Sequence, residues 1–258
     1  MPRFAANLSM MFGEWPFLDR FAAAADAGFD AVEFLFPYDH APDVIGDTLS
    51  RCDLELALFN APPGDWQAGE RGLAALGHRR DEFEASLDTA LRYVAATGVR
   101  RLHVMAGNAA PGDPSAQQSY EDALRLACDR VGEAGVTIVI EPINARDMPA
   151  YFLNDFQVAA EIIRRLARDE LKLQFDVYHR QILHGDVIRG LEALMPIIGH
   201  VQIAAVPERH EPGTGELDDT RIFATLDRLG YSGFVGCEYR PAGATVAGLD
   251  WFHACAKP

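Results

Sequence analysis

Short apolar runs alternate along the chain with longer segments in which apolar positions recur every three or four residues. The short runs are Phe4–Leu8, Ala31–Phe34, Glu55–Asn60, Arg101–Met105, Thr137–Glu141, Lys172–Asp176, His200–Ile203 and Gly233–Glu238. Their length and β-branched content predict eight strands. The longer segments predict helices over 17–27, 79–97, 115–134, 154–168, 185–195, 218–229 and about 246–256, with a less pronounced pattern over 42–51. Gly28, Gly98, Gly135 and Gly230 stand where left-handed C-caps are needed, and Asn154 and Asp218 where N-caps are needed.

The repeating unit is helix, glycine, two or three residues, strand. It is visible in AGFDAVEF, TGVRRLHV, AGVTIVI and LGYSGFVG. Strict alternation of this kind implies a parallel sheet. Eight strands and eight helices in 258 residues fit a closed (β/α)8 barrel, the TIM barrel. A doubly wound sheet would carry a Gly-rich phosphate loop after its first strand, and SMMFGEW is not one. No linker or low-complexity stretch divides the chain, so residues 1–258 are read as a single domain.

Composition narrows the partners. Lys and Arg total 23 against 38 Asp and Glu, a net charge of −15. Such a surface repels phosphate backbones and anionic lipid, which disfavours nucleic acid and membrane partners. Cys52, Cys128, Cys237 and Cys255 are far apart and form no C-x-x-C pair, as expected of free thiols in a reducing compartment. The first residues, MPRFAANLSMMFGEW, lack an apolar leader, and no apolar run approaches the ~20 residues of a membrane span. A cytoplasmic protein is expected. Its oligomeric state is left open, although barrels of this kind often form homo-oligomers.

In a parallel barrel the chemistry sits at the C-terminal ends of the strands. Strand 5 ends in Glu141, strand 6 in Asp176 and strand 8 in Glu238, while strand 7 carries Gln202. A single acid ending a strand is ordinarily a solvated loop residue. Four oxygen ligands on four consecutive strands are not so easily explained, and three crowded carboxylates repel unless a cation lies among them. Hard oxygen donors favour Mg²⁺ or Mn²⁺ over Zn²⁺. A cation holding a carbonyl and its neighbouring hydroxyl acidifies the C–H between them. Glu141 and Glu238 lie three strands apart on the ring. They are placed to take that proton and return one to the adjacent carbon, through an enediolate.

These residues lie in motifs with a family likeness. FAANLSMMFGEWPFLDRFAAAADAGFDAVEFLFPYD, GDWQAGERGLAALGHRRDEF, IEPINARDMPAYFLN, LQFDVYHRQI, HVQIAAVPERHEPGTGELD and GCEYRP cover the chain essentially end to end. The chain resembles the hydroxypyruvate isomerase family of the xylose isomerase-like barrels. The resemblance implies one divalent metal held by Glu141, Asp176, Gln202 and Glu238, with Glu141 and Glu238 as the acid/base pair. It implies interconversion of hydroxypyruvate and tartronate semialdehyde. The 2-oxotetronate isomerases begin with nearly the same words and carry out a parallel reaction. IEPIN, DVYH and GDWQAGERG look more like the hydroxypyruvate branch.

Other residues are weighed in pairs of roles. His179 is a candidate substrate contact or a structural hydrogen bond. His103, on strand 4, faces the site or is a satisfied core histidine. Arg209 suits a substrate carboxylate, against a solvated loop arginine; Glu208 and Glu211 beside it are expected at the surface. Asn7 and Glu33 are rim residues that could touch substrate, with structural roles expected, and Phe12 and Trp66 are candidate apolar walls, with simple packing expected. The segment from Asn60 to about Gly77 has the composition of a lid or of an ordinary surface excursion. A metal-dependent abasic-site endonuclease would want more histidines and a basic face. A non-catalytic sugar-acid binder would not need two opposed glutamates.

Overall fold

The computed structural model describes residues 1–255, and within them every side chain but that of Glu133. Eight parallel strands close into a barrel in chain order: β1 (Arg3–Asn7), β2 (Ala31–Phe34), β3 (Glu55–Asn60), β4 (Arg101–His103), β5 (Thr137–Ile140), β6 (Leu171–Asp176), β7 (Ile198–Ile203) and β8 (Phe234–Cys237). The ring is sealed by β1 against β8, with Arg3 beside Phe234 and Ala6 beside Cys237. Each strand lies within about two residues of its sequence-predicted place, the scatter expected of element ends.

The surrounding helices are α1 (Asp19–Asp26), α2 (Pro42–Cys52), α3 (Arg80–Thr97), α4 (Pro114–Val131), α5 (Phe156–Leu166), α6 (Val177–Leu183), α7 (Val187–Leu194), α8 (Asp219–Arg228) and α9 (Asp250–Cys255). α5 shows why these segments are helical. Phe156, Ala159, Ala160, Ile163 and Leu166 make one buried stripe against the barrel, each large side chain contributing ~2 kcal/mol by burial. The cap of α5 is Asp155, not the expected Asn154, because its carboxylate accepts from both Gln157 N and Val158 N, at 2.7 and 3.0 Å. Gly98 closes α3 at φ 68°. The last predicted helix begins as a short 3-10 turn at Val246–Gly248 before α9, and its residue 256 lies outside the described residues.

One helix had no counterpart in the sequence reading. α6 follows β6 with no intervening loop, because Asp176, the last strand residue, is also the N-cap: its Oδ1 accepts from Tyr178 N at 2.7 Å. A side chain that bonds its own main chain two residues on starts a helix where a loop was expected. Among the described residues, no helix is long and apolar enough to cross a membrane.

The aliphatic and aromatic core lies chiefly between strands and helices. The barrel's own interior is partly polar: Asn7, Glu33, Gln174, His200 and Gln202 are all buried there. Most barrels of this type fill that space with branched aliphatics. Here it supports the residues at the strand ends.

Candidate active site

Glu141 stands one residue past β5, Asp176 ends β6, and Glu238 stands one residue past β8. All three are buried, and each offers an oxygen within 4.8 Å of the others and of a ring nitrogen of His179. Glu141 Oε1 and Asp176 Oδ2 are buried without a hydrogen-bond partner. Burial holds the Glu141 carboxyl well above the usual carboxylate range, with Glu238 and Asp176 adding repulsion. Burial also pushes Glu238 up to about 8 against the pull of Arg209, and raises Asp176. Orphaned, mutually repelling oxygens at one point are the condition that a divalent cation relieves.

Arg209 is drawn into this cluster. Its guanidinium pairs with Glu238, lies 3.5 Å from Asp176 Oδ2 and 3.3 Å from Asp147 Oδ2, and donates through Nε to the Glu238 carbonyl. Tyr178 lies under it, 4.6 Å from ring centroid to guanidinium carbon. Arg209 is therefore a buried counter-ion and not the solvated loop residue considered above. Glu211 departs from expectation as well: it is buried, and both its oxygens accept from Ala242 N, at 3.0 and 3.2 Å. Glu208 is exposed, as expected.

His179 is fixed by α6 and by Asn144. The Asn144 side-chain oxygen accepts from the main-chain N–H of Arg146 and Asp147, so its NH₂ must face His179 Nδ1, 2.6 Å away. Nδ1 is thus an acceptor and the ring's proton lies on Nε2. Burial, with Arg209 and His103, depresses the pKa of His179 far below its usual value, so the ring is neutral. Nε2–H points toward Glu141 Oε1 and Asp176 Oδ2, at 3.9 and 3.6 Å. A nitrogen bearing a proton is a hydrogen-bond donor and not a metal ligand. His103 is also buried and held neutral, with a pKa lowered to about 3 by burial and then by His200. Both its ring nitrogens lack partners, and Nδ1 lies 3.8 Å from Glu141 Oε2. It is not a satisfied core histidine.

Gln202 pairs in register with Asp176 and is buried. Its Nε2 donates to Glu33 Oε1 at 2.7 Å, and its Oε1 accepts from Gln174 Nε2 at 2.5 Å. Glu33 also accepts from Asn7 Nδ2 at 3.0 Å and meets His200 Nε2 at 2.7 Å. This network fixes which end of the Gln202 amide is oxygen, leaving one lone pair of Oε1 for a further contact. Glu33 and Asn7 are structural, as expected, but what they structure is the site.

A cavity of about 390 Å³ opens above the cluster, walled by Trp66, Arg71, His103, Glu141, Arg209 and Glu238 among others. Trp66 and Arg71 come from the loop between β3 and α3, so Trp66 is a wall of the cavity. The loop is pinned at its middle: Gly72 pairs with Ala106, Gly72 N donates to the Pro63 carbonyl at 2.9 Å, and Asn108 Nδ2 donates to Gly69 O at 2.9 Å. Phe12 packs in the core, fully buried, as expected. Asn144, Asp147, Tyr178 and Arg71 were not reached from sequence. All four lie within quoted motifs, Asn144 three residues past Glu141 and Tyr178 two past Asp176.

Comparison with known proteins agrees with this architecture. The family model described as xylose isomerase-like TIM barrel matches residues 21–255. A 2-oxo-tetronate isomerase of Cupriavidus necator is 52% identical over 97% of both chains, and a hydroxypyruvate isomerase of Escherichia coli is 40% identical over 97% of this chain and 98% of its own. A Brucella melitensis crystal structure, described as an AP endonuclease of family 2, superposes over 100% of both chains with a TM-score of 0.97 at 47% identity. The chain therefore belongs to the xylose isomerase-like TIM barrel family, within the group that contains the 2-oxo-tetronate and hydroxypyruvate isomerases.

Proposed function

We propose that this protein is a metal-dependent isomerase that moves a carbonyl between C2 and C3 of a short 2-oxo hydroxy acid, with 2-oxo-tetronate as its substrate. The observation that carries the reading is the convergence of Glu141, Asp176 and Glu238 at the barrel mouth, two of them with an orphaned oxygen. Their hard oxygens fit Mg²⁺ or Mn²⁺, with Gln202 as the fourth donor through the free lone pair of its amide oxygen. When bound, such an ion polarises the carbonyl and the adjacent hydroxyl.

The chain's own residues supply the rest. Glu141 and Glu238, on strands three steps apart in the ring, face the reacting carbons from two sides. One takes the proton from C3 and the other delivers a proton to C2, while the hydroxyl proton passes from O3 to O2. His179 Nε2–H donates to a substrate oxygen, and the pinned β3–α3 loop limits water at the enediolate. The choice of a four-carbon acid leans on the 52% identity to the Cupriavidus protein against 40% to the E. coli one. That reverses the preference drawn from the motifs alone, and hydroxypyruvate becomes the second substrate.

The test is turnover of 2-oxo-tetronate and of hydroxypyruvate by chelated protein with Mg²⁺ or Mn²⁺ restored. Metal-dependent turnover should be lost in both Glu141→Gln and Glu238→Gln, with the fold retained. Near-normal activity in both variants would sink the acid/base assignment. The name carried by the Brucella structure raises a second reading, cleavage of abasic DNA. The net charge of −15 counts against it, and a duplex with one abasic analogue should remain intact under the same conditions.

A further inference from the structure

A 2-oxo acid brings a carboxylate next to its reacting carbons, and a buried carboxylate needs a cation. Three arginines line the cavity: Arg71, Arg209 and Arg240. Arg209 is already paired with Glu238, Asp176 and Asp147. Arg240 is exposed, where water competes for its charge. Arg71 differs from both.

Its Nη1 donates to two main-chain carbonyls, Trp66 O at 3.0 Å and Glu70 O at 2.7 Å. Its guanidinium lies on the Trp66 ring, 3.9 Å from the centroid. These contacts hold the fork in place without neutralising it. Among the described residues no carboxylate pairs with Arg71. The acid beside it, Glu70, is turned away, bonded to Asp65 N and paired with Arg79. Gly72 follows directly at φ 120°, and a Cβ there would lie 2.6 Å from the Met105 carbonyl carbon, so the backbone at this point has little freedom. The result is a half-buried, stacked, unpaired cation facing the cavity whose floor holds Glu141 and Glu238.

We propose that Arg71 receives the substrate's carboxylate, so that the β3–α3 loop makes the enzyme selective for acids over neutral sugars. This rests on the 2-oxo acid reading above. Arg209, a candidate for the role on sequence grounds, instead stays with the barrel's carboxylates. The acid lies with its carboxylate toward Trp66 and Arg71 and its C2 and C3 toward the two glutamates.

The test uses Arg71→Met and Arg71→Lys in the full chain. In Arg71→Met, KM for the 2-oxo acid should rise about 10- to 100-fold, the worth of a charge-assisted pair, with kcat little changed. Arg71→Lys should recover part of the loss, and turnover of erythrulose, a neutral four-carbon ketose, should be unaffected by either. Arg240→Met is the control, expected within about threefold of wild type. Calorimetric titration with D-glycerate, which carries the carboxylate but no ketone, reads binding alone and should weaken in parallel. Unchanged KM and unchanged glycerate binding in Arg71→Met overturn the assignment, as does a larger effect from Arg240→Met. If wild type turns over no 2-oxo acid, the functional reading fails, and the glycerate titration still decides whether Arg71 binds a carboxylate. Absence of glycerate binding to wild type overturns the assignment of Arg71, whatever the turnover.

Discussion

Filling the carboxylate cluster with a divalent cation should drive protons out of it. Glu238 is held at about 8 among its neighbouring carboxyls, against an ordinary 4.5, chiefly by burial. Glu141 is raised in the same direction, by burial first and then by its two acidic neighbours. A group with a pKa near 8 is roughly nine-tenths protonated at pH 7, and a cation binds the deprotonated form. Binding Mn²⁺ at pH 7 should therefore release about one proton from Glu238, with Glu141 adding to the count. The affinity should climb with pH, by roughly tenfold per unit for the Glu238 proton, up to about pH 8. Calorimetry of the chelated protein in buffers of different ionisation enthalpy counts these protons directly. Stability gives an independent reading with a definite sign. Both carboxyls bind protons more tightly folded than unfolded, so the stripped protein should lose stability as pH rises from about 4.5 toward 8. The slope is about 1.4 kcal/mol per unit for each group across its window, and saturating Mn²⁺ should abolish it. Release of no protons, with an affinity flat between pH 6 and 8, would refute the reasoning. It would mean that Arg209 alone keeps the cluster ionised.

Other consequences can be measured separately. Glu33→Ala strands Asn7, His200 and Gln202 in the barrel interior, and should cost about 3–5 kcal/mol in urea denaturation and weaken Mn²⁺ binding at least tenfold; unchanged metal affinity would remove Glu33 from the support of Gln202. Gly72→Ala, with its Cβ driven against Met105 at a positive φ, should lose about 2–3 kcal/mol of thermal stability. Asp219 is raised to about 6, mainly by burial, so the protein loses stability as pH climbs from about 4 to 6 through this group. Asp219→Asn should accordingly be about 1–2 kcal/mol more stable than wild type at pH 7 and no different below pH 4. A constant difference at all pH values would show that charge is not the cause.

The barrel was legible in the sequence because its signal is local and repeated: an apolar run, an acid at its end, a helix, a glycine. Glu141, Asp176 and Glu238 could be found that way, since strand ends in a parallel barrel all face one rim. What could not be read was pairing across the ring. Arg209 and Asp147 are 62 residues apart and meet only because β5 and β7 loops share that rim. Glu33 reaches Gln202 and His200 across the barrel interior, and the space its carboxylate fills is left open by Gly236 on β8. The pattern of β2 alone marks Glu33 only as an acid among apolar neighbours. Glu211 was placed at the surface for the same reason: its partner, Ala242 N, lies beyond the next strand. α6 is hidden in the sequence for a local reason, since Asp176 is a strand-end acid and a helix cap at once.

The direct passage from β6 into α6 restricts how this enzyme can diversify. Loops at a barrel's rim are ordinarily the modules that lineages and engineers exchange to reach new substrates, while the strands stay constant. Between Asp176 and Val177 there is no module to exchange. An insertion there would uncap the helix, swing His179 away from Asn144 and lift a strand-end carboxylate out of line in a single event. Specificity is consequently free to drift at the segments after β3 and β7, where residues separate strand from helix. Grafts intended to enlarge the substrate range belong at those two corners, and libraries that randomise the β6–α6 junction should return mostly inactive clones.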